Sequence, residues 1–333
     1  MSHSNIAIFV PHNGCPHQCS FCSQKDITGQ GYQPDHEDVI KAVETARKSL
    51  KEQTKNAEIA FFGGSFTAID RKYMNELLSA ASPYVKSGEF AGIRLSTRPD
   101  AIDDEVLKIL KNSGVTSIEL GAQSMDDDVL LMNERGHTAA DVVTASELIK
   151  EYGFSLGLQM MTGLYGSSFE KDRETAEKLA GLGPDTVRIY PTVVMKGTKL
   201  YELYVSGKYL PPDTMQSVPL CAGLLRFFED RDINVIRLGL HDSPSLRESM
   251  AAGAFHPSFR ELCESRIMLE NLLDVLREKK IDKGNVTVVV NPKSISRFKG
   301  QKKANIKELE SRGMKIDVVT DDLLGKYEVR IRE

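Results

Sequence analysis

Short apolar runs recur along the first two thirds of the chain, alternating with longer stretches whose apolar positions repeat every three to four residues. The runs are Ile6 to Val10, Glu58 to Phe62, Gly92 to Ser96, Ser117 to Leu120, Leu156 to Met161 and Thr186 to Tyr190, and a helical pattern follows each. Continuously apolar strands separated by helices predict βαβ units and a parallel sheet buried on both faces. Six such units predict an α/β fold built as a partial (β/α)6 barrel of the TIM type. One helix is readable in detail: Val106, Leu107 and Leu110 share a face of Glu105 to Asn112, Asp103 or Asp104 caps its start, and Gly114 lies beyond its end.

Past the sixth unit come a helical stretch from Met215 to Glu229, a strand-like Val235 to Leu240 and a long amphipathic helix from Ser258 to Lys279. These are expected to close the open side of the barrel. Residues 285–333 read as strand, basic helix, strand and strand, set off by the charged, glycine-containing Lys279 to Gly284. Three regions result: a partial barrel over 1–210, a helical and strand extension over 211–282, and a small basic α/β appendage over 283–333. A chain of 333 residues with 41% hydrophobic content can bury one large core and a smaller second one. The N-terminus has no charged segment followed by an apolar stretch, and no apolar run reaches membrane-spanning length, so a soluble, cytoplasmic chain without a membrane partner is expected.

Five cysteines, three of them within eight residues, exclude a secreted disulfide framework and point to a metal site in a reducing compartment. The segment Cys15-Pro-His-Gln-Cys19-Ser-Phe-Cys22 follows the first strand at its C-terminal end, where parallel α/β proteins place their chemistry. Thiolates are the usual ligands of iron-sulfur clusters, and three of them leave one iron of a [4Fe-4S] cluster free of protein ligands. The competing readings are zinc, with His12 or His17 as fourth ligand, or three buried thiols. Cys221 and Cys263 stand among apolar neighbours, where free cysteine behaves as a small hydrophobe. His137, His241 and His256 read equally as structural or as substrate-facing.

On Cys15, Cys19 and Cys22, with three and then two intervening residues and Phe21 before the last, the chain resembles the radical S-adenosylmethionine superfamily. The resemblance implies that S-adenosylmethionine chelates the open iron and is reductively cleaved to a 5'-deoxyadenosyl radical, with an electron donor such as a flavodoxin or ferredoxin. It also implies that Gly63, Gly64 and Ser65, after the second strand, bind the methionine amino group; paired glycines permit close backbone approach. Within the superfamily the pattern is similar to the branch of oxygen-independent coproporphyrinogen oxidases and the Elongator catalytic subunit. On that likeness Phe9 and Phe21 flank the cluster and adenosine, Ser96, Gln123 and Arg135 contact the cofactor, and Gln159 stands at an acidic ribose contact.

Gly31-Tyr32-Gln33-Pro34, Ser96 to Asp100, Arg135-Gly136-His137-Thr138 and the stretch from Ile189 through Lys196-Gly197-Thr198 to Leu203 resemble the Elongator subunit more closely. The likeness covers most of residues 6–210 and implies action on transfer RNA. No acetyltransferase domain is expected in the chain, and its cysteine spacing is the compact one. The net charge of -4 does not itself advertise a nucleic-acid binder. Lys293, Arg297, Lys299, Lys302, Lys303 and Lys307, however, precede any acid before Glu308 and form either an RNA-phosphate footprint or a solvated lysine face. Two other functions stand beside RNA modification: a radical oxidoreductase for a small molecule such as a porphyrin precursor, and an RNA-binding module with a structural cluster.

Overall fold

The computed structural model describes residues 4–10, 18–23 and 32–332. Cys15, His12, His17 and Gly31 lie outside the described residues. All six expected strands form: β1 (Ser4–Val10), β2 (Ala57–Gly63), β3 (Gly92–Thr97), β4 (Val115–Gln123), β5 (Ser155–Thr162) and β6 (Thr186–Pro191). They pair in parallel in sequence order. A short β7 (Val193–Met195) leaves the sheet, and β8 (Asn234–Leu238) then pairs in parallel with β6. The strand expected near 235 therefore lengthens the sheet by one position. The result is a curled half-barrel of seven strands with β1 and β8 at its edges.

One face of this sheet meets the helices. Ile59, Phe61, Ile93, Leu95, Ile118, Leu120, Leu156, Leu158, Val187 and Ile189 enter a single core with helical residues such as Leu77, Leu107 and Leu110. Leu107 and Leu110 belong to the helix Asp104–Asn112, where Asp103 Oδ1 accepts the Val106 amide at 2.8 Å and Gly114, at a φ of 87°, follows the end. Truncating either buried leucine to alanine costs about 2–5 kcal/mol.

The opposite face departs from the expected apolar character. It is buried on the strands' lower halves, yet Glu58, Arg94, Ser117 and Glu119 occupy it. Arg94 pairs with Glu58 at 2.7 Å and with Glu119 at 3.1 Å, while Arg188 meets Glu119 at 2.5 Å. Buried charges are tolerated only when paired and hydrogen-bonded, and this network meets that condition.

After β6 the chain builds a cap at the strands' C-terminal ends. β7 pairs antiparallel with β9 (Met250–Gly253), a ribbon the apolar pattern does not announce. Val193, Met195 and Leu246 pack on one side of the ribbon; Val194, Leu200 and Tyr209 pack on the other. The long helix Phe259–Glu278 follows. Its C-terminal half, through Met268, Leu272 and Leu276, completes a second core with the terminal sheet. That sheet has the order β11 (Met314–Thr320), β10 (Gly284–Val290), β12 (Val329–Ile331).

The expected basic helix of this region is broken. Its pieces are Ile295–Lys299 and Ala304–Ser311, divided by Gly300 and by Lys302 and Lys303 at φ values of 52° and 61°. Left-handed residues cannot continue an α-helix. Among the described residues no helix is long and apolar enough to cross a membrane.

Candidate active site

Lumen-facing residues form a row of paired positions across the half-barrel: Phe9 beside Phe62, Ser96 beside Glu119, Gly121 beside Gln159, Gln159 beside Arg188, and Arg188 beside Arg237. Gln159 Nε2 donates to Glu119 Oε2 at 3.1 Å and to Ser96 Oγ at 3.4 Å. The Arg188 guanidinium lies 5.2 Å from the Phe62 ring centre. Phe9, Ser96 and Gln159, expected at one site from the sequence, thus share one wall of the lumen.

At the C-terminal ends of the strands the chain meets the cysteine segment. Cys19 is buried, and Arg135 Nη1 donates to its Sγ at 3.0 Å. Arg135 Nη2 donates to Gly121 O at 2.6 Å, and Arg98 Nη2 donates to Arg135 O at 2.7 Å. A Cβ on Gly121 would stand 3.0 Å from Gln123 Nε2 and 3.4 Å from Arg135 Nη2, so both side chains rest against that glycine. Gln123 has a φ of 66°, at a register shift in β4. Left-handed backbone at a residue other than glycine carries strain that neighbouring structure must hold. Gln123 Oε1 and Arg135 Nε are buried with no partner among the described residues. Buried polar atoms without a partner are rare, and a bound ligand is one way to satisfy them.

The cysteine segment is fastened from two sides. Ser20 N and Oγ donate to Asn133 O and Oδ1 at 3.1 and 2.9 Å, and Leu200 N donates to Ser20 O at 2.7 Å. Asn133 in turn donates to Val129 O and Tyr165 O, each at 2.8 Å. Phe21 packs, half-buried, against the Val194, Leu200 and Tyr209 cluster of the cap. Cys22 is partly exposed. Gly63 has a φ of 111°, and a Cβ there would come within 3.3 Å of the Val10 backbone, so the turn that ends β2 lies close against the end of β1 in a conformation that favours glycine. Gly64 follows it, and Ser65 is buried at the start of the next turn.

The remaining candidates take other places, His137 behind Arg135 and the rest farther along the chain. His137 is buried beside Arg135 with Nε2 3.2 Å from Ala122 O; burial first, then the Arg135 charge, pushes its pKa down to about 4. His241 is exposed after β8, and His256 Nδ1 accepts the Ser258 amide at 3.0 Å. Cys221 and Cys263 are fully buried, and burial pushes the Cys221 thiol up to about 12, as suits inert core thiols. Of the basic residues, Lys293, Lys302, Lys303 and Lys307 are exposed and Lys299 is half-buried, whereas Arg297 is bonded to buried Glu264 at 2.5 Å. The arginine is thereby part of the joint between the terminal region and the long helix.

Sequence reasoning missed the lumen charges, Asn133 and the Leu200 amide. A signal existed for the charges, because Arg94, Glu119 and Arg188 each sit singly between aliphatic residues at mid-strand.

An α/β half-barrel with cysteines at the C-terminal end of its first strand defines a class, and comparison with known proteins identifies it. Residues 9–189 match the Radical SAM superfamily and residues 184–268 match the Radical_SAM C-terminal domain. The chain belongs to the radical SAM superfamily; it is a radical SAM enzyme, and its cofactors are a [4Fe-4S] cluster and S-adenosylmethionine. It is 28% identical over 304 residues to the tRNA uridine(34) acetyltransferase of Dehalococcoides mccartyi (strain CBDB1), covering 78% of this chain and 64% of that protein. It is 28% identical over 264 residues to human Elongator complex protein 3, covering 66% and 48%. The fold matches the archaeal Methanocaldococcus infernus Elp3 with a TM-score of 0.61 at 20% identity, over 84% of this chain and 63% of that one. The chain spans less than two thirds of the length of these relatives.

The residues present fit the cofactors. Two of the three cysteines lie in the described residues, a guanidinium is already bonded to one of them, and the Gln123 and Arg135 side chains, which carry the unpartnered Oε1 and Nε, rest against the same glycine.

Proposed function

We propose that this chain modifies RNA, transfer RNA in particular, by radical chemistry inside the half-barrel, as a cytoplasmic enzyme. When bound, the cluster and S-adenosylmethionine supply a 5'-deoxyadenosyl radical through reductive cleavage of the sulfonium, with electrons from a donor such as a flavodoxin or ferredoxin. The protein's part is to hold, orient and enclose. Cys15, Cys19 and Cys22 hold three irons. Arg135 binds the cofactor with the guanidinium face that Gly121 and Cys19 leave free, and Gln123 Oε1 accepts a hydrogen bond from it. Gly63, Gly64 and Ser65 receive the methionine amino group, while Ser96 and Gln159 contact the ribose. Phe9 and Phe21 bound the adenosine side and exclude water.

One observation carries the cofactor assignment: Arg135, bonded to the Cys19 thiol, has a buried and unsatisfied Nε, and Gln123, against the same glycine, has a buried and unsatisfied Oε1. Transfer RNA as substrate is supported by relatives named for it, which match over 78% and 62% of this chain. The exposed Lys293, Lys302, Lys303 and Lys307 add a surface suited to phosphate.

The test is mass spectrometry of transfer-RNA nucleosides from cells with and without the gene, repeated with a gene encoding Cys19→Ala. Loss of one modified nucleoside in both mutant cells is the expected result. Unchanged nucleosides, with 5'-deoxyadenosine still released by the reduced protein, would shift the substrate to a small molecule such as a porphyrin precursor.

A further inference from the structure

Among the described residues, the lumen holds three guanidiniums, of Arg94, Arg188 and Arg237, and two carboxylates, of Glu58 and Glu119. Glu58 serves Arg94, and Glu119 accepts from Arg94, Arg188 and Gln159 together, so both carboxylates are engaged. Arg188 itself gives Nε and Nη2 to Glu119 at 2.5 and 2.9 Å. Its register neighbour Arg237 has no carboxylate partner among the described residues. Nε of Arg237 donates to Gly239 O at 3.2 Å, and its two Nη groups meet no acceptor among the described residues.

Arg237 faces the lumen because of a local irregularity. Val235 pairs with Val187 and Arg237 with Arg188, so Ile236 is an extra residue in β8. Without the register shift, simple alternation from the buried Val235 through Ile236 would send Arg237 into the apolar core and Leu238 into the lumen. With it, Leu238 is buried and Arg237 stands half-buried opposite Arg188. Bulges are used to re-aim a side chain, and this one lies on the edge strand beside the half-barrel's open side.

Two guanidiniums in adjacent register repel, and the unpaired one is held in place by the strand. A planar fork of free N–H groups suits bidentate binding of a phosphate or carboxylate. We infer that Arg237 is a substrate-positioning residue that binds an oxyanion of the molecule entering the lumen, which the RNA reading identifies as a backbone phosphate. That identification alone rests on the proposed function; the oxyanion site rests on the lumen geometry.

The test labels the full chain, reconstituted with its cluster, with the arginine reagent phenylglyoxal and follows each arginine by peptide mass spectrometry. Arg237 should label readily and be protected both by inorganic phosphate and by a transfer-RNA transcript. Arg188, saturated by Glu119, should label slowly throughout. Arg237→Gln should bind the transcript roughly ten- to hundredfold more weakly, and Arg237→Lys should recover part of the loss. The salt slope of binding should fall in magnitude by about 0.7 to 0.9. Protection by phosphate but not by RNA keeps the oxyanion site and assigns it to a small acidic substrate, which sinks the RNA reading alone. Labelling that neither phosphate nor RNA slows overturns the inference, and that result needs no variant.

Discussion

The guanidinium of Arg135 donates to the sulfur of Cys19 at 3.0 Å across a sequence separation of 116 residues, and both groups are buried. Arg98 fixes the Arg135 backbone carbonyl and Gly121 O takes the second Nη, so the donor cannot swing away without also breaking its bond to Gly121. A charged donor to a buried acceptor is worth about 1.5–3 kcal/mol. In Arg135→Ala, therefore, iron should leave the anaerobically reconstituted chain for a chelator roughly ten to a hundred times faster than in the wild type, with Arg135→Lys between them. Decay of the visible charge-transfer band measures this directly. Identical decay in all three proteins would take Arg135 out of the site.

Acid and base should act on stability through two buried groups of opposite habit. Burial, then the Arg135 charge, pushes His137 down to about 4; burial pushes Asp172 up to about 6 against the hydrogen bonds from Ser167 and Gly163. Neutral His137 contributes stability that is present above its ordinary value of 6.5 and is lost as pH falls through 4. Protonated Asp172 contributes stability that is present below its ordinary 3.8 and is lost as pH rises through 6. Between pH 4 and 6 the two trends oppose, each amounting to about 3 kcal/mol. Asp172→Asn should therefore lose stability on acidification from 6.5 to 4, and His137→Gln should lose it on going from 4 to 6. Urea unfolding at each pH reads the slopes; two variants that track the wild type would show that neither group is perturbed.

What was legible in the sequence is what has a local period. The strands announced themselves because Ile59 and Phe61, or Ile118 and Leu120, recur with the strand repeat, and the cysteine motif because its ligands lie within one loop. The charged lumen was read as apolar because a single Arg94 or Glu119 between aliphatic residues barely interrupts such a run. Its meaning depends on Glu58, Arg188 and Gln159, which lie on other strands. Asn133, Ser20 and Leu200 meet only after folding, and the ribbon of β7 and β9 is too short to show an alternation. The basic helix failed for a local reason: Gly300 invited a break, and two left-handed lysines followed it.

That break decides which basic residues are available for RNA. Arg297 is spoken for by Glu264, itself buried and shared with Arg260 and Lys326, whereas Lys302, Lys303 and Lys307 project from the turn and the following helix into solvent. Counterion release predicts a loss of about 0.7 to 0.9 in log-log salt slope for each phosphate contact removed. Replacing Lys302, Lys303 and Lys307 together by Ala should thus lower the slope for transfer-RNA binding by roughly two, with the melting temperature unchanged, because solvent-exposed lysines contribute little to stability. Arg297→Ala should do the reverse: it removes one partner of a buried carboxylate and so lowers the melting temperature, while leaving the salt slope as it was. Fluorescence anisotropy with a labelled transcript across a salt series, together with thermal melts, separates the two behaviours. If the lysine variant keeps the full slope, these side chains are a solvated face and the phosphates are held elsewhere; if Arg297→Ala changes the slope, its bond to Glu264 opens when RNA binds.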